Sequence, residues 1–83
     1  MAESDPNPTT VIVGEILRRL NAPQFVPFAI MLSDGSKHPV PTPDHCTVTR
    51  LLRRVQIEYD NYRIVEINPL HVTRLEAMNR PAA

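Results

Sequence analysis

Histidines at 38, 45 and 71, a single cysteine at 46 and an aspartate at 44 are the side chains here that suit metal binding or nucleophilic attack. A structural zinc site draws on about four such groups, usually announced by paired spacings such as Cys-x-x-Cys or His-x-x-x-His. This sequence has no such pair, and His45 and Cys46, being adjacent, point to opposite faces of any strand. A catalytic Cys46 would need a nearby base and an electropositive pocket to hold its thiolate. Only the neighbouring His45 speaks for that, and a small buried apolar cysteine is the better expectation. Asp44 and Glu58 are no better marked as an acid–base pair than any other two carboxylates. With only Gly14 and Gly35, the chain cannot build a glycine-rich phosphate loop. The expectation is a chain with no catalytic residue, no metal and no cofactor.

A second chemistry is suggested by Arg50, Arg53 and Arg54, the one basic cluster, with Tyr59 and Tyr62 downstream. Cations beside aromatic rings are what a single-stranded nucleic acid surface requires, and His71 is a further candidate. Nine basic and nine acidic residues cancel, however, and phosphate-backbone binders usually carry a strong positive balance. The preferred reading is a solvated loop whose arginines pair with Glu58, Asp60 or a neighbouring copy. Leu51 and Leu52 sit inside that run, which reads either as a turn of helix or as an apolar loop tip between strands. Two adjacent leucines in water would form an apolar patch of the kind that marks an interface, here self-association. The alternative is that they fold back into their own core.

The elements that hold these groups are organised around Phe25 to Val40. Phe28, Ile30 and Leu32 share one face of a strand, Asp34-Gly35 signals a hairpin turn, and Ser36 to Val40 returns. Ahead of it, Ile12, Ile16 and Leu20 recur at helical spacing, predicting a helix from Val11 to about Leu20, capped by Thr9 or Thr10. Glu15 and Arg19 fall at the i, i+4 spacing of a favourable pair. Pro41-Thr42-Pro43-Asp44 breaks any continuous strand. Cys46 to Thr49 predicts a short strand, and Val55 to Tyr59 alternates as a half-buried one. Asp60-Asn61 reads as a two-residue turn, with Tyr62 to Ile67 as the antiparallel partner. Asn68-Pro69-Leu70 reads as one tight turn before a closing strand, His71 to Glu76.

These elements predict a mainly β fold with one N-terminal α-helix: a small antiparallel SH3-like or Sm-like barrel of five to six short strands. Residues 1–9 form a disordered lead-in, 10–77 the single domain and 78–83 a tail. Phe25-Val26-Pro27-Phe28, Leu32-Ser33-Asp34-Gly35-Ser36, the bend Val40 to Asp44, and the ending Val65-Glu66-Ile67 with His71 to Glu76 carry a resemblance. Together they resemble a group of short bacterial proteins of uncharacterised role with an aromatic-x-Pro-aromatic motif, an Asp-Gly hairpin and a His-Pro-Glu bend. The resemblance spans roughly Val11 to Glu76 and implies a fold but no activity. Thr42 and Asp44 stand here where that pattern has His and Glu.

The function expected is a non-enzymatic binding or assembly module, self-associating because so small a chain has a thin core. An Sm-like (Hfq-like) RNA-binding ring is the alternative. Against it, Sm and Hfq-like signatures place Arg-Gly or Lys-His before the last strand, where this chain has Asn68-Pro69-Leu70-His71. No small-molecule substrate is indicated. The polar N-terminus lacks the apolar core of a signal peptide, and no run is long enough to span a membrane. One cysteine excludes an internal disulfide, and a cytoplasmic protein is expected.

Overall fold

Helix α1 runs from Pro8 to Leu20, a turn earlier than the apolar pattern implies. Proline at the first helical position loses no hydrogen bond, since the first N–H groups have no partner within a helix. Thr9 and Thr10 therefore lie inside the first turn and do not cap it. The computed structural model describes residues 8–49 and 54–78. Glu15 pairs with Arg18, and with Arg19 at 3.2 Å. At the far end the Asn21 backbone and side chain both donate to the Leu17 carbonyl at 3.0 Å, which closes the helix. Its apolar stripe turns inward: Ile16 is fully buried, with Ile12 and Leu20 packed beside it.

Among the described residues six strands follow: β1 (Phe28–Leu32), β2 (Lys37–Val40), β3 (Cys46–Thr49), β4 (Arg54–Glu58), β5 (Ile64–Ile67) and β6 (Val72–Ala77). They form two three-stranded antiparallel sheets, ordered β2-β1-β6 and β3-β4-β5. Between β2 and β3 the chain makes a 3-10 turn at Pro43–His45, and between β5 and β6 another at Pro69–His71. His71 thus belongs to a turn and not to the closing strand; its carbonyl accepts from the Ser33 N–H at 2.8 Å. Helix α1 lies against that second turn and against β3.

One core joins all these layers. Ile16, Phe28, Ile30, Val40, Cys46, Val55, Ile57 and Ile67 are buried together. Period-two alternation places Val55 and Ile57 inward on β4, and their partners Ile67 and Val65 face the same side. Ile64 and Glu66 point outward, and Ile64 is 58% exposed. Phe25 and Phe28 meet at 6.1 Å between ring centres, with the Arg19 guanidinium over the Phe28 ring. Pro39 lies within β2, which is an edge strand and therefore tolerates it.

The two hairpin turns share one geometry. In the first, the Leu32 N–H donates to Ser36 O and the Gly35 N–H to Leu32 O, both at 2.9 Å. In the second, Tyr59 N–H donates to Arg63 O at 2.8 Å and Tyr62 N–H to Tyr59 O at 2.9 Å. Asp34 Oδ1 accepts the Ser36 N–H at 2.8 Å, and Asn61 Oδ1 accepts the Arg63 N–H at 3.1 Å. The second turn is longer than the two residues Asp60-Asn61. It absorbs Tyr62 and Arg63, so β5 starts at Ile64 and not at Tyr62.

Candidate functional site

The side chain with the widest structural reach at this turn is Tyr59. It leaves the end of β4 half-buried, and its hydroxyl donates to the Pro39 carbonyl on β2 at 2.8 Å. That bond ties one sheet to the other. Burial raises its phenol above the ordinary tyrosine range. Tyr59 also divides two open grooves. One, of about 530 Å³, is lined by Lys37, His38, Pro39, Asp60 and Arg63 with Tyr59. The other, of about 490 Å³, is lined by Thr42, Asp44, His45, Glu58, Asp60 and Tyr62 with Tyr59.

The second groove has the more pronounced chemistry. His45 Nδ1 lies 2.7 Å from Thr42 Oγ1, and His45 Nε2 lies 3.1 Å from Asp60 Oδ1. An ionised carboxylate only accepts, so Nε2–H donates to Asp60, and in the neutral ring Nδ1 accepts from the threonine hydroxyl. A hydroxyl, a base and an orienting carboxylate in this order have the polarity of an activated nucleophile. Two facts oppose that use. Asp60 is 96% exposed, so water competes for its contact with the ring. Asp44 and Glu58 line the same groove, and their negative field would oppose an oxyanion forming at Thr42. The arrangement is mechanically useful instead. It pins the proline-bounded bend to the β4–β5 turn.

Tyr62 stands at the rim of this groove with its side chain in solvent, 95% exposed. Its φ of 68° is left-handed, a region that non-glycine residues seldom adopt. Gly35 holds the matching place in the first turn with φ 88°. The groove thus combines two tyrosines, three carboxylates and a histidine. That chemistry suits a planar or cationic group held by aromatic faces and acidic oxygens.

Of the residues singled out from sequence as a binding surface, Arg54, Tyr59, Tyr62 and His71 are described, and they lie at different places along the second sheet and its turns. Arg54 opens β4 and Tyr59 follows its end, roughly 15 Å apart at the rise of an extended strand. Arg54 reaches Glu66 at 3.7 Å. His71 is exposed in the second 3-10 turn. Arg50, Leu51, Leu52 and Arg53 lie outside the described residues. Cys46 faces the core while His45 faces the groove, and burial pushes the Cys46 thiol up to about 11. Among the described residues, no three His, Cys, Asp or Glu side chains are placed to hold a metal.

Sequence reasoning did not find the Thr42–His45–Asp60 contacts or the backbone of Tyr62. The second had a signal. Aligning Leu32 to Ser36 with Tyr59 to Arg63 matches Asp34 to Asn61 and puts Tyr62 over Gly35. No protein-family model matches the chain, and neither a curated protein nor a solved structure does. Among the described residues, no helix is long and apolar enough to cross a membrane.

Proposed function

We propose that this chain is a non-enzymatic binding or assembly module, a small β-barrel of SH3-like or Sm-like type that associates with copies of itself. The observation that carries the proposal is Tyr62, a large aromatic side chain in water on a backbone conformation that glycine would adopt at lower cost. Neither local propensity nor packing accounts for a tyrosine there. Contact with a partner does. Tyrosine is favoured in interfaces because it adds large, rigid, amphipathic area.

The strand path supports a curled barrel. The chain leaves β2 in one sheet, turns through Pro41 to His45, and enters β3 in the other. It returns through β6 to pair with β1. Among the described residues β5 pairs with β4 alone and β6 with β1 alone, so each has an outer edge with backbone groups open to a further strand. Ile64 and Leu70 add apolar surface near that seam. A cytoplasmic setting and the likeness to short bacterial proteins belong to the same reading.

An Sm-like RNA-binding ring is the second reading, favoured by the adjacent exposed pair Tyr62 and Arg63. The carboxylates beside them oppose it. Light scattering on the protein alone and with total cellular RNA separates the two. A mass well above the 9.4 kDa of one chain without RNA supports self-association. Assembly only with RNA supports the ring. A single-chain mass in both samples overturns both readings.

A further inference from the structure

The groove on the far side of Tyr59 from His45 lies between the two sheets. Strand β2 lines one side of it, and the β4–β5 turn, with Val65 just beyond, lines the other. Its volume of about 530 Å³ is that of a small-molecule site. Its donors are poorly used by the chain itself. Among the described residues the Arg63 guanidinium has no hydrogen bond or ion pair, although Asp60 lines the same groove. Asp60 turns to His45 instead, at 3.1 Å. Asn61 spends its Oδ1 on the Arg63 N–H, and its Nδ2 donates to nothing among the described residues. On β2, the hydrogen bond from Leu32 N–H to Ser36 O sets the alternation, so Lys37 and Pro39 turn their backbone groups outward. Tyr59 takes the Pro39 carbonyl, while the Lys37 N–H has no backbone acceptor among the described residues.

We infer that this groove binds a small aromatic carboxylate, its oxygens held by Arg63 and Asn61 with Lys37 opposite, and its ring along Tyr59 and Pro39. Arginine takes a carboxylate in a bidentate fork, and the Asn61 amide adds a neutral donor. The charge of the groove selects a monoanion. Two cations, Lys37 and Arg63, face one carboxylate, Asp60. Glu76 outside the groove leaves this balance alone, because Arg74 meets it at 3.1 Å, closer than Lys37 at 3.6 Å. His38 engages Ser36 Oγ at 3.1 Å. A phosphate dianion would exceed the balance, with Asp44 and Glu58 just across Tyr59 to repel it. Pro39, Val65 and the Tyr59 ring give the body of the ligand apolar surface, and the bond from Tyr59 to Pro39 holds that ring in place. The site stands apart from the self-association proposed above, since every group in it belongs to one chain.

Amide NMR shifts of the full chain during titration with sodium benzoate test this. Saturating shifts should gather at Lys37, Tyr59, Asn61 and Arg63, with a millimolar Kd suited to so small a ligand. Benzamide keeps the ring without the charge, and should bind at least about tenfold more weakly. Arg63→Gln retains the backbone bonds of the turn and should weaken benzoate by a similar factor, about tenfold. Added salt should weaken benzoate and leave benzamide alone. Melting curves verify that the variant is folded, and the benzamide and salt comparisons decide if it is not. Shifts that never saturate, or that spread over Arg18 and Arg74 elsewhere on the surface, overturn the site. So does benzoate binding that is indifferent to Arg63→Gln, or benzamide that binds equally well. Phenyl phosphate, a dianion at neutral pH, binding more tightly than benzoate overturns the assignment to a carboxylate.

Discussion

Tyr62 and Gly35 occupy the same position in two turns of the same hydrogen-bond pattern, at φ 68° and 88°. A left-handed conformation costs an L-residue with a Cβ roughly 1–2 kcal/mol, which glycine avoids. Tyr62→Gly removes that cost and loses little burial, because the side chain is in water. Glycine's greater freedom when unfolded returns part of the gain. The expected outcome in urea denaturation is a rise of up to about 1 kcal/mol. The same variant should associate less, so stability and assembly move in opposite directions. At Gly35 a new Cβ meets nothing within 4 Å, so Gly35→Ala isolates the backbone effect. It should lose about 1–2 kcal/mol.

Ile16 is the helix's fully buried contact with the sheets. Ile16→Ala leaves a cavity in the core that it shares with Phe28, Ile30 and Ile67 and should lose on the order of 2–4 kcal/mol. Chemical denaturation showing less than about 0.5 kcal/mol, the range of surface sites, would mean that the helix is not packed.

The Cys46 thiol, pushed up to about 11 from its ordinary 9.0, should react with disulfide reagents roughly a hundredfold more slowly than an unfolded control at neutral pH. Lack of access slows it further. The sign for stability follows from proton binding. Between 9.0 and about 11 the folded chain keeps a proton that the unfolded chain releases, so this group's contribution falls as pH rises. Thiol labelling that is equally fast in native and unfolded protein would remove Cys46 from the core.

Acid should weaken the hairpin side of the molecule. Hydrogen bonds from Ser36 hold Asp34 below its usual 3.8, and Arg74, with Lys37 behind it, holds Glu76 below its usual 4.5. Depressed carboxylates favour the folded chain fully above the unfolded values. That advantage shrinks as pH drops below 4.5 and continues to shrink below 3.8. Denaturation midpoints measured from pH 6 to pH 3 should decline, and the double variant Asp34→Asn, Glu76→Gln should decline less.

Much of the fold was legible because apolar spacing reports directly on which face is buried. Ile12, Ile16 and Leu20 gave the helix face, and Val55 and Ile57 gave the core side of β4. The helix start was less legible, since Pro8 suits a first turn and a disordered lead-in equally well. The shortening of β5 has a physical cause too. Asn61 can bond its own backbone two residues on, which keeps Tyr62 and Arg63 in the turn despite their strand-like types. The site was the least legible part. His45 meets Asp60 across fifteen positions of sequence, and no periodicity encodes a side-chain contact between the bend before β3 and the turn after β4.

Pro39 has a bearing on how the outer edge of the first sheet is guarded. An edge strand is an invitation to indiscriminate β-stacking, and β2 would be one such edge beside the core strand β1. A proline within a paired strand sits where its missing N–H would have faced away from the ladder. The outer rim of β2 thus lacks a donor midway along four residues, with Pro41 following just beyond. Its sheet can grow by strand addition only at β6. Blocking the β2 rim closes one route by which a small sheet protein turns into fibre.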